Sequence, residues 1–257
     1  MANKSTPEAG WRVWNNAEVA AGFTETRRGG MLGYAAQEMT LLRLMEYVAA
    51  RPMSVLDVGC GDGVLMQTIM QAYPVSRAVA IDGSPGMLEK AVSRFQSLGL
   101  VSNLVEFIEA DFSDSAWLAS VQATKFDVVV SGFAIHHVED GRKREIYAEI
   151  YSLLASGGLF VNLEHVASVS PRGEEMFERS YAESIAAFRR TQGSDSSATE
   201  VYAELVDRPD KAANRLAPVD LQVAWLQEIG YQHADCYWKH FELAILAGYK
   251  PTGNERY

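Results

Sequence analysis

The sequence predicts an α/β fold. It is a doubly wound, mostly parallel seven-stranded sheet ending in an antiparallel hairpin, with a helical lid before it and a helical insertion after the fifth strand. Three observations carry this reading. Between about residues 52 and 166, short apolar runs alternate with amphipathic stretches, a rhythm that implies parallel pairing and right-handed crossovers. Val55-Leu56-Asp57-Val58-Gly59-Cys60-Gly61-Asp62-Gly63 is an apolar strand that ends on an acid and turns on glycines, which lets backbone approach a ligand without Cβ clashes. Near the C-terminus only Lys239-His240 separate two apolar runs, and strands joined that closely pair as a hairpin.

The elements follow in order. The segment from Trp11 to Ala49 precedes the first strand and reads as helical in its second half, with Met39, Leu42, Met45 and Tyr47 among its apolar residues. Residues 54–58 form the first strand. Residues 65–73 form a helix with Leu65, Ile69 and Ala72 on one face. Residues 78–81 are the second strand and 85–98 the next helix, where Pro85 suits the first turn and Ser84 stands ready to cap free amides. Residues 105–109 and 126–131 are strands three and four. Residues 141–154 are helical and closed by Gly157-Gly158 as a stop signal. Residues 159–163 are the fifth strand. Strands this continuously apolar are covered on both faces. Residues 168–218 read as a polar, mostly helical insertion, broken by a loop from Gln192 to Ser197. A last helix over 220–229 ends at Gly230, and strands 232–238 and 241–249 close one edge of the sheet. Residues 253–257 are expected to fray. The organisation is thus a lid segment (1–50), a core (51–167 and 218–251) and a cap (168–217), together one compact domain.

Composition narrows the function. With 257 residues, 48% of them hydrophobic, the chain can bury a sizeable core. No apolar run approaches the roughly 20 residues that span a bilayer. Met1 to Gly10 lacks the apolar centre of a signal peptide, so the expected location is cytoplasmic, with no membrane partner. Cys60 and Cys236 are far apart, form no metal-binding spacing and are expected to be reduced. Histidines and acids show no ligand spacing either, so no metal is expected. The net charge is −10, and the basic clusters Arg27-Arg28, Arg142-Lys143-Arg144 and Arg189-Arg190 fit local ion pairing as well as a polyanion. A small-molecule substrate is therefore expected rather than a nucleic acid, with a monomer or homodimer both open.

In open parallel sheets, ligands sit at the carboxyl ends of the strands. Asp57, Asp82 and Asp111 fall at three successive strand ends, Asp82 about twenty residues after the glycine turn. An ionised carboxylate there can accept from both hydroxyls of a ribose. The spacing Gly59-x-Gly61-x-Gly63 departs from the dinucleotide fingerprint G-x-G-x-x-G. Asp57 and Asp62 would also repel a pyrophosphate, whereas a sulfonium ligand with an amino group tolerates them.

These residues, with Ile81-Asp82-Gly83-Ser84-Pro85-Gly86-Met87, Glu109-Ala110-Asp111-Phe112 and the run from Phe126 to His137, resemble the class I S-adenosylmethionine-dependent methyltransferases, Rossmann-like in fold. The resemblance covers about residues 48–166 plus the terminal helix and hairpin. It implies S-adenosylmethionine as cofactor and S-adenosylhomocysteine as product. It further implies that Gly59, Cys60 and Gly61 pass under the methionine part and that Asp57 holds its amino group. Asp82 and Gly83 would meet the ribose, Met87 would pack on the adenine, and Asp111 and the Phe112 amide would recognise its edge. Ser131 and Phe133 would border the reacting methyl.

Other residues are candidates by position. His136, after the fourth strand, is the candidate proton acceptor, since histidine titrates near neutral pH. His165 ends the fifth strand, and His240 is placed in the hairpin turn. Arg28 in the lid could pair with the cofactor carboxylate. Trp14, Tyr34, Phe133, His165, Tyr181, Tyr202 and Trp238 are the expected substrate-pocket residues. Methyl transfer to a small acceptor by in-line displacement is the leading reading. A related enzyme modifying tRNA or using an altered cofactor or non-methyl chemistry is one alternative. A non-catalytic nucleotide binder or an NAD-dependent dehydrogenase is the other, and the glycine spacing argues against the dehydrogenase.

Overall fold

A computed structural model describes residues 10–48, 53–99, 104–121 and 125–252. The expectations for Met1 to Ala9 and for the frayed residues 253–257 lie outside the described residues. The seven-stranded sheet has the order β3-β2-β1-β4-β5-β7-β6. Before it lie a 3-10 turn (Gly10–Asn15), α1 (Ala17–Ala21), a π-helical turn (Gly22–Arg27) and α2 (Tyr34–Met45). Then come β1 (Met53–Val58), α3 (Val64–Ala72), β2 (Val75–Asp82), α4 (Pro85–Ser97), β3 (Val105–Glu109) and α5 (Leu118–Val121). β4 (Phe126–Gly132), α6 (Asp140–Leu153) and β5 (Leu154–His165) follow. β1 to β5 pair in parallel, and the order reverses between β1 and β4.

The insertion is α7 (Pro171–Thr191), α8 (Ala198–Val206) and a 3-10 turn (Pro209–Ala213). α9 (Val219–Ile229) stops at Gly230, whose φ of 109° is the left-handed cap expected there. β6 (Gln232–His240) and β7 (Leu243–Tyr249) complete the sheet, with β7 antiparallel between β5 and β6. Two apolar layers cover the sheet. One packs Ile146, Tyr147, Ile150 and Leu226 on Leu56, Val129 and Phe160, and the other packs Leu41, Met45, Met66 and Ile69 on Val55, Val128 and Val161.

Several expectations are corrected. Gly157-Gly158 do not end α6, which runs straight into β5. They lie inside β5, where register jumps from Phe126↔Leu154 to Val128↔Leu159, so the glycines accommodate a bulge. The hairpin turns at Phe241-Glu242 rather than Lys239-His240. Phe241 takes φ 51° and His240 pairs with Leu243 as the last residue of β6. Ser84 stands at the N-cap of α4 but makes no capping bond, its hydroxyl donating instead to the Trp14 carbonyl at 3.3 Å. On α2 the buried residues are Gln37, Leu41, Leu44 and Met45, while Met39 on the helix and Tyr47 beyond its end are exposed.

Candidate active site

The glycine turn leaves β1 with Gly59, Gly61 and Gly63 all at positive φ. A Cβ on Gly59 would lie 2.3 Å from the Ala134 Cβ, so glycine is required there for two reasons at once. The Gly59 and Cys60 amides both donate to the Ile81 carbonyl at 2.9 Å, tying the turn to β2. Asp57 is fully buried and neither carboxylate oxygen has a hydrogen-bond partner. Burial, then the nearby Asp82 charge, pushes its carboxyl up to about 8. Asp82 accepts from the Gly61 amide and the Ser84 amide, each at 2.8 Å, and burial raises it to about 6. Asp62 is raised by burial but overruled by Arg28 and Arg94, each 2.6 Å away, which hold it below the usual range.

The N-terminal segment crosses this turn. The Trp11 ring sits against Gly83, where an added Cβ would come within 2.8 Å of it. Arg12 reaches Asp111 at 3.4 Å. Trp14 Nε1 donates to His137 Nε2 at 2.9 Å, and Phe23 lies beneath the guanidinium groups of Arg27 and Arg28. The same segment is clasped by the insertion. Arg27 bonds Asp210 at 2.7 Å, Arg208 shares that carboxylate at 3.3 Å, and the Tyr181 hydroxyl donates to the Arg27 carbonyl. Together these elements enclose a cavity at the carboxyl ends of β1, β2, β4 and β5.

Three histidines, His136, His137 and His165, line it. His136 Nδ1 lies 2.7 Å from Glu164 Oε1, with both groups buried. Burial pushes the imidazole well below its ordinary value and the Glu164 carboxyl up to about 7. His165 Nε2 lies 2.8 Å from Glu242 Oε2. Phe133, just after β4, is held at φ 53° with its amide bonded to the Leu163 carbonyl at 2.7 Å. A strained, over-determined residue of this kind marks a functional loop.

Comparisons with known proteins agree with this geometry. Residues 55–158 match the family model described as a methyltransferase domain. A carboxy-S-adenosyl-L-methionine synthase from Klebsiella pneumoniae is 25% identical over 254 residues, covering 96% of this chain and 95% of that protein. A malonyl-[acyl-carrier protein] O-methyltransferase from Acetivibrio thermocellus is 30% identical over 101 residues, covering 39% of this chain and 32% of that protein. An O-methyltransferase family protein from Burkholderia thailandensis superposes with a TM-score of 0.60 at 17% identity, over 86% of this chain and 60% of that one. The magnesium protoporphyrin IX methyltransferase from Synechocystis, solved with S-adenosylhomocysteine bound, gives 0.57 at 14% identity, over 86% of its own length and 87% of this chain.

This chain carries a methyltransferase domain on the class I methyltransferase fold. The Synechocystis enzyme was also solved with S-adenosylmethionine bound. No helix among the described residues is long and apolar enough to cross a membrane.

The methyltransferase brings most of the sequence-derived candidates together. Asp57, Gly59, Cys60, Gly61, Asp82, Gly83, Met87, Asp111, Phe112 and Arg28 all line the cavity, as do Trp14, Tyr34, Phe133, His136, His165 and Tyr181. Three candidates do not. Ser131 is fully buried and donates to the Val58 carbonyl at 2.8 Å, a stitch between β4 and β1. Tyr202 faces the α7–α8 pairing, under the Arg179 guanidinium. Trp238 packs on Gly33 and stacks with His240, and it is not among the residues that line the cavity. Arg28 lines the cavity but is already paired with Asp62. Glu164, Glu242, Arg208 and Asp210 were not legible in the sequence. The partners of Glu164, Glu242 and Asp210 lie 28 to 183 residues away, which no local pattern carries, and Arg208 enters through the carboxylate it shares at Asp210.

Proposed function

We propose that this methyltransferase acts on a small molecule carrying a hydroxyl, held beneath the lid and insertion, with His136 taking the hydroxyl proton. One observation carries the reading. His136 Nδ1 is engaged by Glu164, while Nε2 has no hydrogen bond among the described residues and its residue lines the cavity. A carboxylate on Nδ1–H leaves Nε2 as the lone-pair nitrogen. Asn162 donates to the other Glu164 oxygen at 3.0 Å and to the Tyr147 hydroxyl at 3.0 Å, fixing the glutamate behind the histidine.

The cofactor end fits its ligand. Two unpartnered oxygens on buried Asp57 need a cationic donor, and the cofactor's amino group is one. The positive-φ glycines leave room beside it. Asp82 would take the ribose hydroxyls, Asp111 the adenine amine on release from Arg12, and Met87 a ring face. When bound, S-adenosylmethionine supplies an electrophilic methyl group. The chain's own part is to exclude water with Trp14, Phe23, Phe133 and Phe177, to orient the acceptor, and to hold its proton on His136. Every basic cluster in the sequence carries ion-paired members, such as Arg142 with Glu149 and Arg189 with Glu204, which supports a small acceptor over a nucleic acid. Free Cys60 and Cys236 fit a cytoplasmic setting.

A second reading rests on the relative matched across its whole length, a carboxy-S-adenosyl-L-methionine synthase. In it the product would be a modified cofactor. Mass spectrometry of the nucleoside that copurifies, followed by turnover with a panel of hydroxylated aromatics, separates the two. S-adenosylhomocysteine formation with hydroxylated acceptors, cut at least about a hundredfold in His136→Gln, is expected for the base assignment. A carboxylated nucleoside and no acceptor methylation would support the second reading instead.

A further inference from the structure

We propose that the acceptor carries two hydroxyl donors on adjacent or alternate carbons of one ring, the first read by His136 and the second by His165. This rests on the methyltransferase reading above and narrows it to a substrate class.

The observation is a duplicated arrangement. His136 has Nδ1 on Glu164 at 2.7 Å, and His165 has Nε2 on Glu242 at 2.8 Å. Both carboxylates belong to buried residues. Each imidazole thus has one nitrogen committed to a glutamate and one free of hydrogen bonds among the described residues, and both rings line the same cavity. Their centroids are 5.6 Å apart with planes at 72°. His137, the third imidazole, is excluded, since both its nitrogens are engaged, by Trp14 and by the Ala213 carbonyl.

Tautomer logic fixes the chemistry. Burial raises the Glu242 carboxyl, but the bond from His165 outweighs that and holds it below its ordinary value, so it accepts an N–H from His165. With Nε2 committed to Glu242, the His165 ring presents Nδ1 to the cavity as its acceptor nitrogen, as His136 presents Nε2. Two neighbouring acceptors ask for two donors on one rigid body. A monohydroxylated ligand would leave one imidazole nitrogen dry and unpaired, a penalty of the kind that drives specificity. The surrounding wall of Phe133, Phe177 and Tyr181 suits a flat ring.

The test uses the full chain. S-adenosylhomocysteine is first titrated into the wild type by calorimetry, and absence of binding there would remove the methyltransferase reading itself. On the loaded protein, phenol, 1,2-dihydroxybenzene and 1,3-dihydroxybenzene are then compared by ligand-observed NMR. At least one dihydroxybenzene is expected to bind about three- to tenfold tighter than phenol. That ratio should fall to about one in His165→Phe and shrink in the near-isosteric Glu242→Gln. In Glu242→Gln, ¹⁵N shifts should also show His165 leaving its single tautomer. Equal affinity for all three probes in the wild type, or a preference that survives both substitutions, would overturn the proposal.

Discussion

Replacing Asp57 with Asn should stabilise the ligand-free protein while weakening the cofactor, with opposite pH signatures. In the fold the Asp57 carboxyl stays protonated up to about 8, against 3.8 in an open chain. The native state therefore binds more protons than the unfolded state between those values, and stability falls as pH rises through that window. At pH 7 the full difference is worth about 4 kcal/mol, and relaxation around the site reduces it to about 2–4 kcal/mol. Asn has no charge to suppress. For a chain of this size the variant should melt about 5–15 °C higher at pH 7, and the gap should close toward pH 4. Thermal melts of both proteins from pH 4 to 8 measure it. S-adenosylhomocysteine should reverse the order, because its amino group favours the ionised carboxylate. Wild-type affinity should tighten as pH rises toward 8, while that of Asp57→Asn stays flat and weaker. A melting gap that does not change with pH would refute the reasoning.

Other outcomes follow from the same site. Methyl transfer should fall as pH drops below about 7, because the Glu164–His136 pair then takes up a proton and Nε2 loses its lone pair. Glu164→Gln should lower kcat and erase that limb in a pH–rate profile. Gly59→Ala forces a Cβ to within 2.3 Å of Ala134 at a φ of 72° and should abolish cofactor binding by calorimetry. Asp210→Ala leaves Arg27 and Arg208 without their shared carboxylate. It should cost about 3–5 kcal/mol, read by chemical denaturation, and loosen the segment as followed by Trp14 fluorescence.

The sheet was legible because its strands are short apolar runs with acids at their ends, a signal local to each strand. Asp57, Asp82 and Asp111 could be placed without knowing what packed on them. The misses share the opposite property. Gly157-Gly158 look like a helix stop but serve a register jump that only pairing with β4 defines. Ser131 and Trp238 sit at the right place along their strands but face away from the cavity, Ser131 bonding Val58 and Trp238 filling the space over Gly33. Moving the hairpin turn to Phe241-Glu242 set Glu242 beside His165, so one turn residue decided the state of a pocket histidine. Glu164, one residue past the strand read over 159–163, carried no signal of its own until the fold put His136 beside it.

The most direct test is a calorimetric titration of S-adenosylhomocysteine into the wild type and Asp82→Asn. Saturable binding is expected, one ligand per chain, weakened at least about tenfold in the variant, because the buried carboxylate at the β2 end would hold the ribose hydroxyls. Unchanged affinity in Asp82→Asn, or no binding to the wild type, would contradict it.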